Sequence, residues 1–178
     1  TPLYSSAASD VYKRQVEKPN TATEQLARLD SVLDEYESSI GLPSYAADFH
    51  EPSVHEYMQM DRTSIEKLTL EECAEASLLL GGLSFHVLRS QNREVARVQW
   101  AQTSLKSVIS GKENQYSGSW DSQYHQAIKE NDYARKLLAI KKYAQQRADR
   151  LIHIASSIKN LADLFLNLQR AKAGRRYE

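Results

Sequence analysis

Carboxylates and histidines are the residues whose types and spacing first suggest chemistry. "EECAE" sets Glu71, Glu72 and Glu75 along one helical face. Such a face could help hold magnesium if a second acidic helix completed a set of hard oxygen ligands. The following helix offers only Glu94 among Arg93 and Arg97, so helix capping and dipole matching account for the glutamates better. "DFHEPSVHEY" brings His50 and His55 close to Asp48, Glu51 and Glu56. A zincin helix needs its histidines four apart, whereas these are five apart with Pro52 between them, which reads as a polar loop. His86, His125 and His153 stand singly on helical segments, and no Ser, His and Asp grouping carries a nucleophile elbow. Gly111 and Lys112 lack the earlier glycine of a phosphate-binding loop. No catalytic residue, cofactor or metal is expected, and the chain reads as a non-enzyme.

Basic residues remain. Lys136, Ile140, Tyr143, Arg147 and Arg150 recur at three and four residues along one helical stripe, flanked by Arg135 and Lys142. Cations in a row with an aromatic ring suit single-stranded nucleic acid, the cations meeting phosphates and the ring stacking on a base. Arg89, Arg93 and Arg97 repeat every four residues upstream and are followed by Trp100, Lys106 and Lys112. The competing reading makes these the flanks of a helical bundle, paired with Asp and Glu of neighbouring helices, including an acidic first helix.

Four elements would have to position these residues. Residues 1–15 share neither periodicity nor composition with the rest of the chain and are set aside as a non-native leader. Residues 16–68 form an acidic helix and arm: Leu26, Leu29, Leu33 and Tyr36 recur at helical spacing up to Gly41, and a long proline-containing loop comes next. Residues 69–174 form a hairpin of two long antiparallel helices joined by a short turn. Its first helix starts at a Thr69 and Glu72 capping box and presents Ala74, Leu78, Gly81, Phe85, Leu88, Val95, Val98, Leu105 and Ile109 to the core. Gly81 and Gly82 predict a kink or a close helix contact. Its second helix, from about Tyr124 to Lys172, carries Leu137, Ala144, Ala148, Leu151, Ala155, Ile158, Ala162, Phe165 and Leu168 at near-heptad spacing. Residues 175–178 are a tail. The fold class is all-α, a coiled-coil-like bundle in which small seam alanines call for a third helix or other subunits.

Composition bounds this reading. Four Pro and six Gly among 178 residues favour long helices over many turns, and 41% apolar with 26% charged residues argues against wholesale disorder. Cys73 is the only cysteine, which excludes an internal disulfide and suits a reducing cytoplasm. No apolar run approaches the roughly 20 residues that span a bilayer, so a soluble protein with no membrane partner is expected. The formal charge of zero conceals an asymmetry: from Lys129 onward twelve Lys and Arg face five Asp and Glu, whereas the first 128 residues hold eleven basic and eighteen acidic. Either the C-terminal half meets an anionic partner or the two halves pair with each other.

At "SLKSVISGK", after the arginine-bearing helix and ahead of a long helix ending in "RAKAG", the sequence resembles the UvsY family of phage recombination mediators. The likeness runs from about Glu71 to Gly174. Ser110, Gly111 and Lys112 match the family's turn, Val108 and Ile109 stand where the family has tyrosines, and "ENDYARKLLAIKKYAQQRADRL" with "SIKN" loosely matches its second helix. The resemblance implies an all-α homo-oligomeric ring that binds single-stranded DNA and helps load a recombinase onto strands coated with a single-stranded DNA-binding protein. That would take place in the host cytoplasm, with Arg97, Lys106 and Lys112 as the DNA contacts and the C-terminal helix serving assembly. The alternative is a phage scaffold or adaptor whose charges pair helices in an oligomer without touching nucleic acid.

Overall fold

The computed structural model describes residues 21–42, 52–110 and 116–174, and among them every regular element is a helix. They are α1 (Ala22–Ser39), α2 (Pro52–Gln59), α3 (Arg62–Lys67), α4 (Leu70–Ser110), α5 (Trp120–Glu130) and α6 (Asp132–Gly174). Helices α4 and α6, of 41 and 43 residues, pack along their length as the expected antiparallel hairpin. At 1.5 Å per residue each is about 60 Å long.

Local chemistry sets the boundaries. Thr69 starts α4 as the sequence indicates: its amide donates to Glu72 Oε2 at 2.7 Å and its Oγ1 accepts from the Glu72 amide at 3.2 Å. Thr21 and Glu24 repeat the device at α1. That helix ends where Gly41 takes a φ of 79°, the left-handed conformation that costs glycine least. Leu42 N–H then bonds the Glu37 carbonyl and Gly41 N–H the Ser38 carbonyl, both at 3.0 Å, closing the helix in a Schellman motif.

Three features differ from the sequence reading. The arm contains two short helices, α2 and α3, the latter started by Asp61, whose Oδ1 accepts from the Ser64 amide at 2.8 Å. The second half of the hairpin is divided at Asn131. That residue has extended backbone, and its carboxamide oxygen accepts from the amides of Tyr133 (2.9 Å) and Ala134 (3.3 Å), ending α5 and capping α6. The third difference is the face that α4 buries.

The α6 seam is the expected one, with Leu137, Ala144, Ala148, Ala155, Ile158, Ala162 and Phe165 all buried. On α4, Val98, Leu105 and Ile109 are buried as expected, but upstream the core residues are Cys73, Ala76 and Leu80. Leu78, Phe85 and Leu88 are instead 77%, 46% and 44% exposed. "CAEASLLLGGLSF" is apolar around most of the helix, so its own period does not choose a face; packing against α6 does. Gly81 and Gly82 make no close contact either, since a Cβ at either would meet nothing within 4 Å.

Large side chains gather at the two ends of the hairpin. Near the turn, Leu105, Ile109, Tyr116 and Leu137 pack with Ala22 of α1 and Ala127 of α5. At the far end, Val54 and Tyr57 of α2 cover Leu80, Ile158 and Phe165, with the Tyr57 and Phe165 rings edge to face at 5.9 Å. Lys172 clamps this end, its Nζ donating to the carbonyls of Glu66 (2.9 Å) and Leu68. Within the chain, Ala22 of α1, Ala127 of α5 and above all Val54 and Tyr57 of α2 add to the apolar packing of the small alanine seam.

Candidate nucleic-acid interface

Between the two cores a polar network lies beside the small apolar seam of the hairpin. Arg89, Arg93 and Arg97, one helical turn apart on α4, face Glu37, Asp34 and Asp30 of antiparallel α1. Arg89 Nη2 lies 2.5 Å from Glu37 Oε2, Arg93 Nη2 is 2.6 Å from the same oxygen and also bonds Asp34, and Arg97 holds Asp30 with two bonds of 2.9 and 3.0 Å. Glu94 occupies the seam itself and joins Arg97 (2.7 Å) to Arg147 of α6 (2.8 Å). Among the described residues, four guanidinium groups thus meet four carboxylates. The Arg93 hydrogen bond, helped by Arg89 and opposed by burial, lowers the Glu37 pKa to about 2. Glu94 raises the pKa of Arg147 in the same way.

This arrangement corrects part of the expected DNA-contacting set. Arg93, 6% exposed and enclosed by Glu37 and Asp34, is out of reach of a phosphate. Arg97 and Arg147 have their charge matched by Asp30 and Glu94. A phosphate would have to displace a carboxylate from partly buried Arg97, whereas the Arg147 side chain is 52% exposed and keeps a face open to solvent. Arg135 is exposed but lies 3.0 Å from Asp132.

The other expected residues stand differently. Lys106, Lys136, Lys142 and Arg150 are exposed and have no ion-pair partner among the described residues, and Tyr143 is 62% exposed. Lys136, Tyr143 and Arg150, at intervals of seven, run along one flank of α6, while Lys142 lies on its outer face. Lys112 lies outside the described residues. Lys106 belongs to a separate notch beside the turn, a cavity of about 240 Å³ whose walls include Trp120, Tyr124 and Lys141. The residue pattern did not single out these three. One signal could have found them: Lys141 falls at a seam position, four after Leu137 and three before Ala144, where an apolar residue is the rule.

The acidic and histidine motifs give no site. Glu71 and Glu75 are exposed at the start of α4, and Glu72, held below the usual carboxylate range by its bond from the Thr69 amide, serves as a cap. His55 and Glu56 are exposed on α2; Asp48, His50 and Glu51 lie outside the described residues. Among the described residues no three His, Cys, Asp or Glu gather as a metal site, and no helix is long and apolar enough to cross a membrane. Cys73 is fully buried, and burial pushes its thiol pKa up.

Taken together these features define the class: an all-α helical hairpin, clasped by an acidic helix, with several exposed cations that have no ion-pair partner among the described residues. No family model, curated protein or solved structure matches the chain.

Proposed function

We propose that the protein is a non-enzymatic single-stranded DNA-binding recombination mediator that helps load a recombinase. The supporting observation is the partition of its cations. Carboxylates neutralise Arg89, Arg93, Arg97 and Arg147, whereas Lys106, Lys136, Lys142 and Arg150 are exposed without an ion-pair partner among the described residues. Charge left uncompensated on a surface favours a polyanion, and exposed Tyr143 on the Lys136 and Arg150 flank offers a face for a base. The likeness of the turn to the UvsY family adds the mediator role and the expectation of a homo-oligomer acting with a recombinase and a single-stranded DNA-binding protein.

A labelled oligonucleotide titrated over a salt series tests this. Affinity should fall log-linearly with salt, and the triple variant Lys136→Gln, Lys142→Gln, Arg150→Gln should reduce the slope by about 2, at roughly 0.7 per phosphate contact on single strands. No binding at low salt refutes the proposal.

A second reading, an assembly protein that does not bind nucleic acid, is favoured by a different surface. Tyr36, Ile40, Phe85 and Leu88 line a groove of about 300 Å³ between α1 and α4, and exposed Leu78 continues its stripe. If self-association runs through this face, Leu78→Glu with Phe85→Glu should reduce the mass measured by light scattering to that of the monomer. Full assembly in that variant eliminates this surface as the interface.

A further inference from the structure

We propose that the notch beside the turn holds one nucleotide of the bound strand, with its base stacked on Trp120 and its phosphate met by Lys106 and Lys141. This inference rests on the single-strand reading and gives it a base-contacting site separate from the exposed cations of α6. Three elements converge there: Gln102 and Lys106 from α4, Trp120, Asp121 and Tyr124 from α5, and Lys141 from α6.

Tyr124 packs in part against the core near the turn, while the other polar and aromatic groups of the notch have roles that suit a nucleotide. Trp120 opens α5 directly after its Ser119 cap and is 48% exposed, although indole buries more apolar area than any other side chain when a helix can cover it. Tyr124 follows one turn later on the same helix and lines the same notch. Two aromatic side chains give a flat base a surface that excludes water without requiring a particular sequence. Gln102 and Asp121 offer an amide and a carboxylate for the polar edge of the base, which supplies a modest preference rather than a code. The two lysines come from the two helices of the hairpin, Lys106 from α4 and Lys141 from α6. Lys141 occupies a position where apolar packing would be expected, and in the notch its ammonium has a use that a leucine would not. The volume, about 240 Å³, is below the roughly 300 to 1,000 Å³ of sites for drug-sized ligands and suits a single planar base.

Trp120 is its own reporter, because the only other tryptophan, Trp100, is half-buried against the core near the turn. Adding a dT oligonucleotide should quench the emission of the native protein but not the residual Trp100 emission of Trp120→Phe. Trp120→Ala should weaken binding about 5- to 150-fold, as expected for one lost stacking contact, while leaving the salt slope unchanged. An oligonucleotide of the same length with abasic positions should show the same loss with the native protein. Lys106→Gln should instead shorten the slope by about 0.7. Circular dichroism of the variants establishes that they are folded.

Oligonucleotide binding without quenching, or with full affinity in folded Trp120→Ala, overturns the notch and leaves the single-strand reading intact. No binding at low salt overturns both. Free dTMP quenching Trp120 at concentrations comparable to the oligonucleotide would make the notch a mononucleotide site and overturn its assignment to a strand.

Discussion

Removing the charge of Glu37 should release α1 from the hairpin, and the structure gives a magnitude. Among the described residues of α1 only Ala22 is fully buried, so apolar packing contributes little to its attachment. Glu37 carries much of the rest, with Arg89 and Arg93 both bonded to it. Its pKa falls from 4.5 to about 2 on folding. A depressed carboxyl contributes stability that is fully present above its unfolded pKa and is lost as pH falls through the folded value. At 1.36 kcal/mol per pKa unit this depression is worth about 3 kcal/mol at neutral pH, and it is lost between about pH 4.5 and 2. Little discount for solvent is needed, because the Glu37 side chain is only 12% exposed.

Glu37→Gln preserves the shape and removes the charge, leaving Arg89 and Arg93 enclosed with Asp34 as the remaining described carboxylate partner. Breaking a buried pair from one side costs about 3 to 5 kcal/mol. Hydrogen exchange read by mass spectrometry on α1 peptides is the appropriate assay, since it separates detachment of α1 from melting of the hairpin. At pH 7 the variant should lose α1 protection, measured against the unfolded exchange rate at the same pH, as the native protein does near pH 2.5, with α4 and α6 still protected around the two apolar cores. Glu35→Gln, which removes an exposed charge from the same helix, should stay within about 0.5 kcal/mol of native. Equal α1 protection in Glu37→Gln and native protein at pH 7 would refute the reasoning, and so would native α1 protection that does not change down to pH 2.5.

Phe165→Ala removes the largest fully buried side chain of the far core, where Tyr57, Leu80 and Ile158 meet, and should cost about 3 to 5 kcal/mol in urea unfolding while leaving the notch intact. Tyr116→Phe should be neutral or slightly stabilising by the same measurement. The Tyr116 hydroxyl is buried with no hydrogen-bond partner among the described residues, so its removal relieves a desolvated group; a loss above 1 kcal/mol would mean that the hydroxyl is satisfied after all.

Capping and seam periodicity are readable in the sequence because they depend on residues close together in the chain. Thr69 with Glu72 and Gly41 act within a few residues of themselves, and the α6 seam keeps its spacing from Leu137 to Phe165 despite the lysine at 141. The buried face of α4 is not readable, because Cys73 to Phe85 is apolar on most sides and the alternatives differ only in what α6 presents to them. The break at Asn131 leaves no periodic mark, since one residue can both end and start a helix without disturbing the surrounding helical composition. The notch requires residues from three elements, and sequence spacing carries no record of that meeting beyond a lysine at a seam position.

Charge offers a stronger long-range signal than hydrophobicity does. Asp30, Asp34 and Glu37 descend one face of α1 at intervals of four and three, and Arg89, Arg93 and Arg97 climb α4 at intervals of four. Run antiparallel, the two series pair in order, Glu37 with Arg89, Asp34 with Arg93 and Asp30 with Arg97. Guanidinium groups suit this role, since a planar fork can hold a carboxylate with two bonds in a partly dry site, whereas an ammonium is more strongly hydrated. Residue type and spacing therefore sort the cations: arginines matched in spacing to an acidic helix belong to the clasp, and the lysines at 106, 136 and 142 have no such counterpart among the described residues. Arg150 follows its spacing rather than its type, because no described carboxylate of α1 or α4 lies opposite it in the pairing.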